Sequence, residues 1–298
     1  MYLKVGEVGE KIMTNKQKGA FYIILSSFFF AMMSIFVKLS GDIPSIEKSF
    51  FRNLIALIVA AIILIKDGEG FSYEKKDLPL LFSRALFGTI GLLANFYAID
   101  HLLLADASIL QKINPFFVII FSYFLLKEKF TLKQGLMIII AFIGALFVVK
   151  PSFQNAELFA SIIAIIGAAS AGLAYTLVRV LTLRGVNKSK IVFFFSTFSC
   201  LVAVPFMIVD FTPLSPIQLF YLIMAGFMAA GGQFTITTAY SYAPGKEISI
   251  FDYSQIIFSA LAGLIIFSQI PDLYSIIGYI IIFIVALCNY RYNLNNET

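Results

Sequence analysis

Two short stretches of this 298-residue chain carry the residues best able to handle a polar solute: Gln111, Lys112 and Asn114 in one, and Asp252, Tyr253 and Gln255 in the other. Both lie inside long apolar runs. An ionisable side chain at the middle of a bilayer costs about 2.5–3.5 kcal/mol, so each one needs a partner or a water-filled cavity. Lys112 and Asp252 would answer that need for each other. Three-residue spacing keeps helical side chains on one face, which groups Ser108, Gln111 and Asn114, and likewise Ser249, Asp252 and Gln255. If these faces meet, a Lys112–Asp252 pair surrounded by amides and hydroxyls forms part of a substrate site. The competing reading is an ion pair that serves architecture alone. Asn95, Tyr97, Tyr175, Gln233 and Tyr240 join the candidate substrate-binding set, because an amide or phenol deep in a span has no partner if it faces lipid.

Other chemistries find little support. His101 is the only histidine and falls in a short connection beside Asp100 and Asp106, where a solvated loop residue is the favoured reading over a metal ligand. HExxH, GxSxG and GxxxxGK[ST] are absent. Cys200 and Cys288 lie in apolar spans without CxxC or Cys/His spacing and read as small buried hydrophobes. No catalytic residue, metal or cofactor is expected, and the chain is not read as an enzyme.

The elements that must position the polar residues follow from composition. With 60% hydrophobic residues, 13% charged residues and a mean hydropathy of +0.91, the chain departs far from a soluble globule. Apolar runs near 19–40, 45–65, 78–99, 103–126, 132–149, 158–181, 189–209, 218–243, 248–267 and 273–290 each approach the roughly 20 residues that cross a bilayer as a helix. Backbone groups in hydrocarbon must be satisfied within their own segment, so the expected fold is an all-α polytopic membrane protein of ten transmembrane helices. The basic residues fall on alternate connections: Lys66, Lys75 and Lys76, then Lys127, Lys129 and Lys133, then Arg184, Lys188 and Lys190, then Lys246. With Lys4, Lys11, Lys16 and Lys18 at one end and Arg291 at the other, they place both termini in the cytoplasm of a multi-pass cell-membrane protein. The first run is a full span without a small-residue cleavage site, so no cleavable signal is expected. Met13 opens a compact basic segment and is an expected alternative start of translation, which would make residues 1–12 dispensable.

Adding 141 to a position in the first half gives its counterpart in the second: Lys38 falls on Arg179, Gly91 on Gly232, Ala98 on Ala239, Ser108 on Ser249, Asn114 on Gln255 and Glu128 on Gln269. After a two-residue insertion near Ile270 and Pro271, Gly135 falls on Gly278. Residues 1–18 form a tail, 19–150 a first five-helix repeat and 157–291 a second. An odd number of spans per copy means that the two copies enter the membrane from opposite sides. Inverted repeats give each half two interchangeable arrangements, the basis of alternating access to a midplane site.

On these residues the chain resembles the EamA family of the drug/metabolite transporter superfamily. The resemblance rests on Phe51-Arg52-Asn53-Leu54, Tyr97-Ala98, Ala107, Pro115, Leu126-Lys127-Glu128-Lys129 and Gln134-Gly135, and in the second copy on Ala239-Tyr240-Ser241-Tyr242-Ala243-Pro244. It spans about Gly19 to Arg291. Gln269 stands where an acidic residue is expected, and Phe193 is the counterpart of Arg52, so neither residue has a symmetric role. The resemblance implies transport, with cargoes across such families that include amino acids, nucleobases, S-adenosylmethionine, choline and riboflavin.

The remaining intramembrane residues have bland readings beside functional ones. Lys38 and Arg179 read as snorkelling side chains against cavity lining, Arg52 and Arg84 as interface anchors against gate or ligand contacts, and Gly88, Gly91, Gly231 and Gly232 as helix-packing positions against a substrate-facing kink. The stripe Ser27, Ala31, Ser34, Lys38 serves either packing or the cavity. Pro115 is expected to bend the fourth span just beyond its polar stretch. A site of amides, hydroxyls and tyrosine faces with one charge of each sign suits a planar, hydrogen-bonding, weakly charged solute. The function expected is therefore a secondary transporter of a small polar or aromatic metabolite working by alternating access, with riboflavin as first cargo. An exporter or exchanger of amino acids, nucleobases, S-adenosylmethionine or drugs is the alternative, and a permease subunit or intramembrane enzyme the reading from another class. The partners expected are a small-molecule substrate and the lipid bilayer, with no nucleic acid and no obligatory protein partner; a homodimer stays open.

Overall fold

The computed structural model describes residues 13–102, 104–128, 131–149, 155–268, 270 and 272–295, and every regular element among them is helical. The elements are α1 (Asn15–Leu39), α2 (Ser45–Lys66), α3 (Leu78–His101), α4 (Leu104–Gln111), α5 (Asn114–Leu126), α6 (Leu132–Val149), α7 (Asn155–Leu183), α8 (Lys188–Val209), α9 (Pro216–Tyr242), α10 (Gly245–Ile248), a 3₁₀ turn (Ser249–Tyr253), α11 (Ser254–Phe267) and α12 (Leu273–Asn295). Residues 1–12, on which the alternative start bears, and Gln269 lie outside the described residues.

Six helices, in α1, α2, α3, α7, α8 and α9, are long and apolar enough to cross a membrane, and four shorter apolar helices accompany them. Large apolar side chains such as Ile65, Phe82, Leu201, Ile208 and Ile265 are exposed around the outside, the arrangement expected when lipid is the solvent.

The expected continuous fourth and ninth spans are each broken. Pro115, second residue of α5, has no N–H for the carbonyl of Gln111, and its ring crowds that carbonyl. The chain therefore turns at Lys112–Ile113, within the polar stretch rather than beyond it, through the short Leu110–Ile113 and Ile113–Phe116 backbone bonds. In the second copy the 3₁₀ turn over Ser249–Tyr253 makes the equivalent break without a proline. The breaks fall at matching positions, and Asn114 and Gln255 consequently start, or nearly start, the helices that follow rather than continuing the face of Gln111 or Asp252.

The repeat extends to packing. α1 lies along α9 as α7 lies along α3; α1 meets α11 as α5 meets α7; α2 meets α8, α6 meets α12, and α4 meets α11. Gly91 and Gly232 allow the two longest of these contacts. A Cβ on Gly91 would stand 3.1 Å from the backbone of Gly167 and Ala171, and one on Gly232 2.6 Å from the Phe30 ring. Lys127 and Ser268, 141 positions apart, end α5 and α11 in the left-handed conformation at φ 55° and 52°, each with its N–H on the carbonyl five residues back.

Candidate functional site

The two breaks face each other in the interior, where α4 packs on α11. Lys112 Nζ donates to Asp252 Oδ2 at 2.7 Å and to Gln255 Oε1 at 2.7 Å. Asp252 is held from the other side by Ser27 on α1, whose hydroxyl lies 3.0 Å from Oδ1. Both charged side chains are buried.

Around the pair lies a cavity of about 70 Å³. From the first copy it is lined by Phe30, Met33, Arg52, Gly88, Gly91, Leu92, Asn95, Gln111, Lys112 and Asn114, and from the second by Ala171, Tyr175, Phe195, Gln233, Asp252 and Gln255. Eight of the eleven residues expected in the substrate site thus border one space. The other three do not. Tyr97 stacks on His101 with ring centroids 3.9 Å apart, Tyr240 stacks behind Tyr175 at 5.6 Å, and Tyr253 turns toward Phe116 and an apolar groove between α1, α11 and α12. His101 is exposed, its ring nitrogen beside the Tyr97 carbonyl. Among the described residues no cluster of ligands for a metal ion is present.

Arg52 and Arg84 are not interface anchors. Each is only 2% exposed. Arg52 Nη1 donates to Asn53 Oδ1 at 2.6 Å, and Arg84 Nη2 to Gln233 Oε1 at 3.0 Å. Both guanidiniums sit against Phe195, 5.6 and 3.9 Å from its ring centroid. Sequence reasoning favoured the interface for these two with gate or ligand contact as the alternative, and missed Phe195 and the grip of Ser27 on Asp252. A signal was available for the arginines: their counterparts, Phe193 and Ala225, are apolar, the same broken symmetry that marks Lys112 and Asp252.

Lys38 and Arg179 keep their symmetry, as caps rather than snorkelling ends. Lys38 Nζ lies 3.4 Å from the carbonyl of Leu102 at the end of α3, and Arg179 Nη1 lies 3.0 and 3.3 Å from the carbonyls of Tyr240 and Ser241 at the end of α9. Cations near carboxyl ends of helices meet the negative end of the dipole. At one edge the α2–α3 connection is tied to α8: Lys190 pairs with Glu69 at 3.0 Å, holding that carboxyl below its usual value, and burial beneath the same connection pushes the Tyr73 hydroxyl up to about 12.

An all-helical membrane bundle, built of two related halves with opposed helix breaks around a buried polar cavity, defines a multi-pass membrane transporter. The chain belongs to the EamA-like transporter family, whose profile matches residues 17–150 and 158–291. It is 32% identical over 273 residues to the pseudopaline exporter CntI of Pseudomonas aeruginosa, covering 91% of this chain and 95% of that protein. It is 27% identical over 274 residues to solute carrier family 35 member G1 of Mus musculus, at 87% and 74% coverage. With a riboflavin transporter of Brucella anthropi it shares 24% identity over 235 residues, at 78% and 82% coverage. A crystal structure of a protein 13% identical superposes with a TM-score of 0.75 over 94% of this chain and 99% of that one, which concerns the fold.

Proposed function

We propose that this protein is a secondary transporter of the cell membrane that moves a small metabolite by alternating access around the Lys112–Asp252 pair. In this reading the chain crosses the bilayer ten times, counting each broken segment with its partner helix as one crossing, as two inverted five-helix halves with both termini in the cytoplasm. The observation that carries it is the meeting of α4–α5 and the 3₁₀ turn–α11 at a single cavity, since paired broken helices at the interface of repeats are where transporters place their substrate sites. The direction favoured is outward, because the exporter relative matches nearly end to end. Riboflavin, expected from the amides and tyrosine faces, is the cargo of a more distant relative and serves as the comparison substrate. A cavity of about 70 Å³ is well below the roughly 300 Å³ and more of a ligand pocket, so loading a metabolite requires the halves to part.

The test is counterflow in proteoliposomes holding the purified protein alone, across amino acids, nucleobases, S-adenosylmethionine and riboflavin. Wild type exchanges at least one class, and a Lys112→Met/Asp252→Leu double variant folds but does not. Wild-type flux in the double variant would remove the pair from the site. Flux that ignores an imposed pH gradient would exclude proton drive.

A further inference from the structure

The charges around the cavity do not balance. Lys112 and Asp252 neutralise each other, yet Arg52 and Arg84 remain, and a guanidinium does not lose its proton in a protein. Among the described residues neither arginine has a carboxylate within ion-pair distance, and Asp252 is the one acidic residue bordering the cavity. Their hydrogen bonds go instead to neutral amides, Asn53 and Gln233. Arg52 Nε, Arg84 Nε and Arg84 Nη1 are buried without a hydrogen-bond partner.

The position of Arg84 adds an independent observation. A Cβ on Gly88, the residue one turn further along α3, would stand 2.5 Å from Arg84 Nη1 and 2.9 Å from Phe195. Arg52 borders the cavity itself, whereas the Arg84 guanidinium lies one layer behind it, in the room left by Gly88 and against Phe195 and Gln233, all three of which border that space. Two cations that share one aromatic ring, with idle donors and no counter-charge, are costly in a low dielectric unless an anion joins them. A guanidinium fork matches a carboxylate through two parallel hydrogen bonds, where an ammonium offers only a point charge.

We propose that Arg52 and Arg84 form an anion subsite for a carboxylate of the transported metabolite, so that the cargo is a small organic acid bearing a negative charge in excess of any positive one. This rests on the transport reading above. Lys112 and Asp252 then receive the rest of the solute, whose polar groups meet Gln111, Asn114 and Gln255.

The experiment is a thermal-shift titration of the detergent-purified full chain with glutamate, 2-oxoglutarate and succinate, beside glutamine, riboflavin, chloride and inorganic phosphate. At least one carboxylate protects the wild type, glutamine and riboflavin do not, and Arg52→Gln and Arg84→Gln each weaken the apparent affinity about tenfold or more, as expected for the loss of a charge-assisted bond. Variants that fail to fold are replaced by Arg52→Lys and Arg84→Lys, which keep the charge but lose the fork and weaken binding less. The proposal is overturned if no carboxylate protects, if phosphate or chloride protects equally, or if the variants bind as the wild type does. Counterflow separates the two levels: flux of neutral solutes alone would sink the anion subsite and keep the transporter, whereas arginine-dependent binding without flux of any solute would do the reverse.

Discussion

The two halves of this molecule agree in backbone and disagree in charge. Helix breaks, left-handed helix ends, glycine contacts and basic caps recur at a spacing of 141, while the buried charges around the central cavity do not: the first copy contributes Arg52, Arg84 and Lys112, and the counterparts of these are Phe193, Ala225 and Tyr253. The second copy contributes Asp252, opposite Gln111. The same contrast appears nearer one end of the bundle. Lys48 on α2 pairs with Asp100 on α3 at 2.5 Å, whereas their counterparts Ser189 and Ser241 border an open cleft. The recurring features are those of the backbone scaffold, and the differences in charge named above fall at the central cavity and at the Lys48–Asp100 end. Substitutions at paired positions should therefore have matched effects on the scaffold and unmatched effects at charges.

The largest difference is expected at the centre. Lys112→Ala leaves the Asp252 carboxylate buried with only Ser27 and should cost about 3–5 kcal/mol, read as a loss of thermal stability in detergent. Tyr253→Phe at the counterpart position removes a hydroxyl that is buried without a partner, and should change stability little or raise it slightly. Equal losses at the two positions would mean that the pair is held by packing and not by charge.

Much of this contrast could be read from the sequence and some could not. The offset, the helical class, and the convergence of Gln111, Lys112, Asn114, Asp252 and Gln255 follow from hydropathy and from the cost of a charge in lipid, which acts on residue type alone. The exact place of the break at Lys112–Ile113 does not, because Pro115 forbids one backbone bond without saying which side of it the chain will turn. Arg52 and Arg84 were misplaced for a related reason. Long basic chains a turn or two inside a span can reach the interface or turn inward, and only the room left by Gly88 and the ring of Phe195 decides between these. Tyr97 and Tyr240 show the reverse error: depth in a span was legible, but stacking on His101 and Tyr175 turned them away from the cavity.

An intermediate effect is expected at the end pair. Asp100→Asn leaves Lys48, which is 1% exposed, without its counter-charge, and should cost about 1–3 kcal/mol. Ser241→Ala at the counterpart removes only a hydroxyl bonded to the Thr238 carbonyl within its own helix and should stay within about 0.5 kcal/mol. Chemical labelling of an introduced cysteine at the cavity, read with and without the Asp100→Asn change, would sharpen the point: the acidic residue holds its end closed if labelling from that side rises in the variant. Unchanged labelling together with the stability loss would leave the pair a fastening of α2 to α3 without a gating role.

The smallest effects should be the symmetric ones. Lys127 and Ser268 are exposed, and both hold a left-handed backbone that disfavours a side chain. Each donates its N–H to a carbonyl of its own helix, Ser122 in one copy and Gly263 in the other, which are themselves 141 apart. Lys127→Gly and Ser268→Gly relieve the Cβ without touching those bonds, against a gain in freedom of the unfolded chain that offsets part of the benefit. Each should raise stability by about 0.5–1 kcal/mol, alike in sign and close in size, and the pair should add, since the sites lie on separate helices. A gain at one position and a loss at the other, measured by thermal unfolding of the two single variants, would show that the halves have diverged in backbone as well as in charge, and the division between a conserved scaffold and an asymmetric centre would no longer hold.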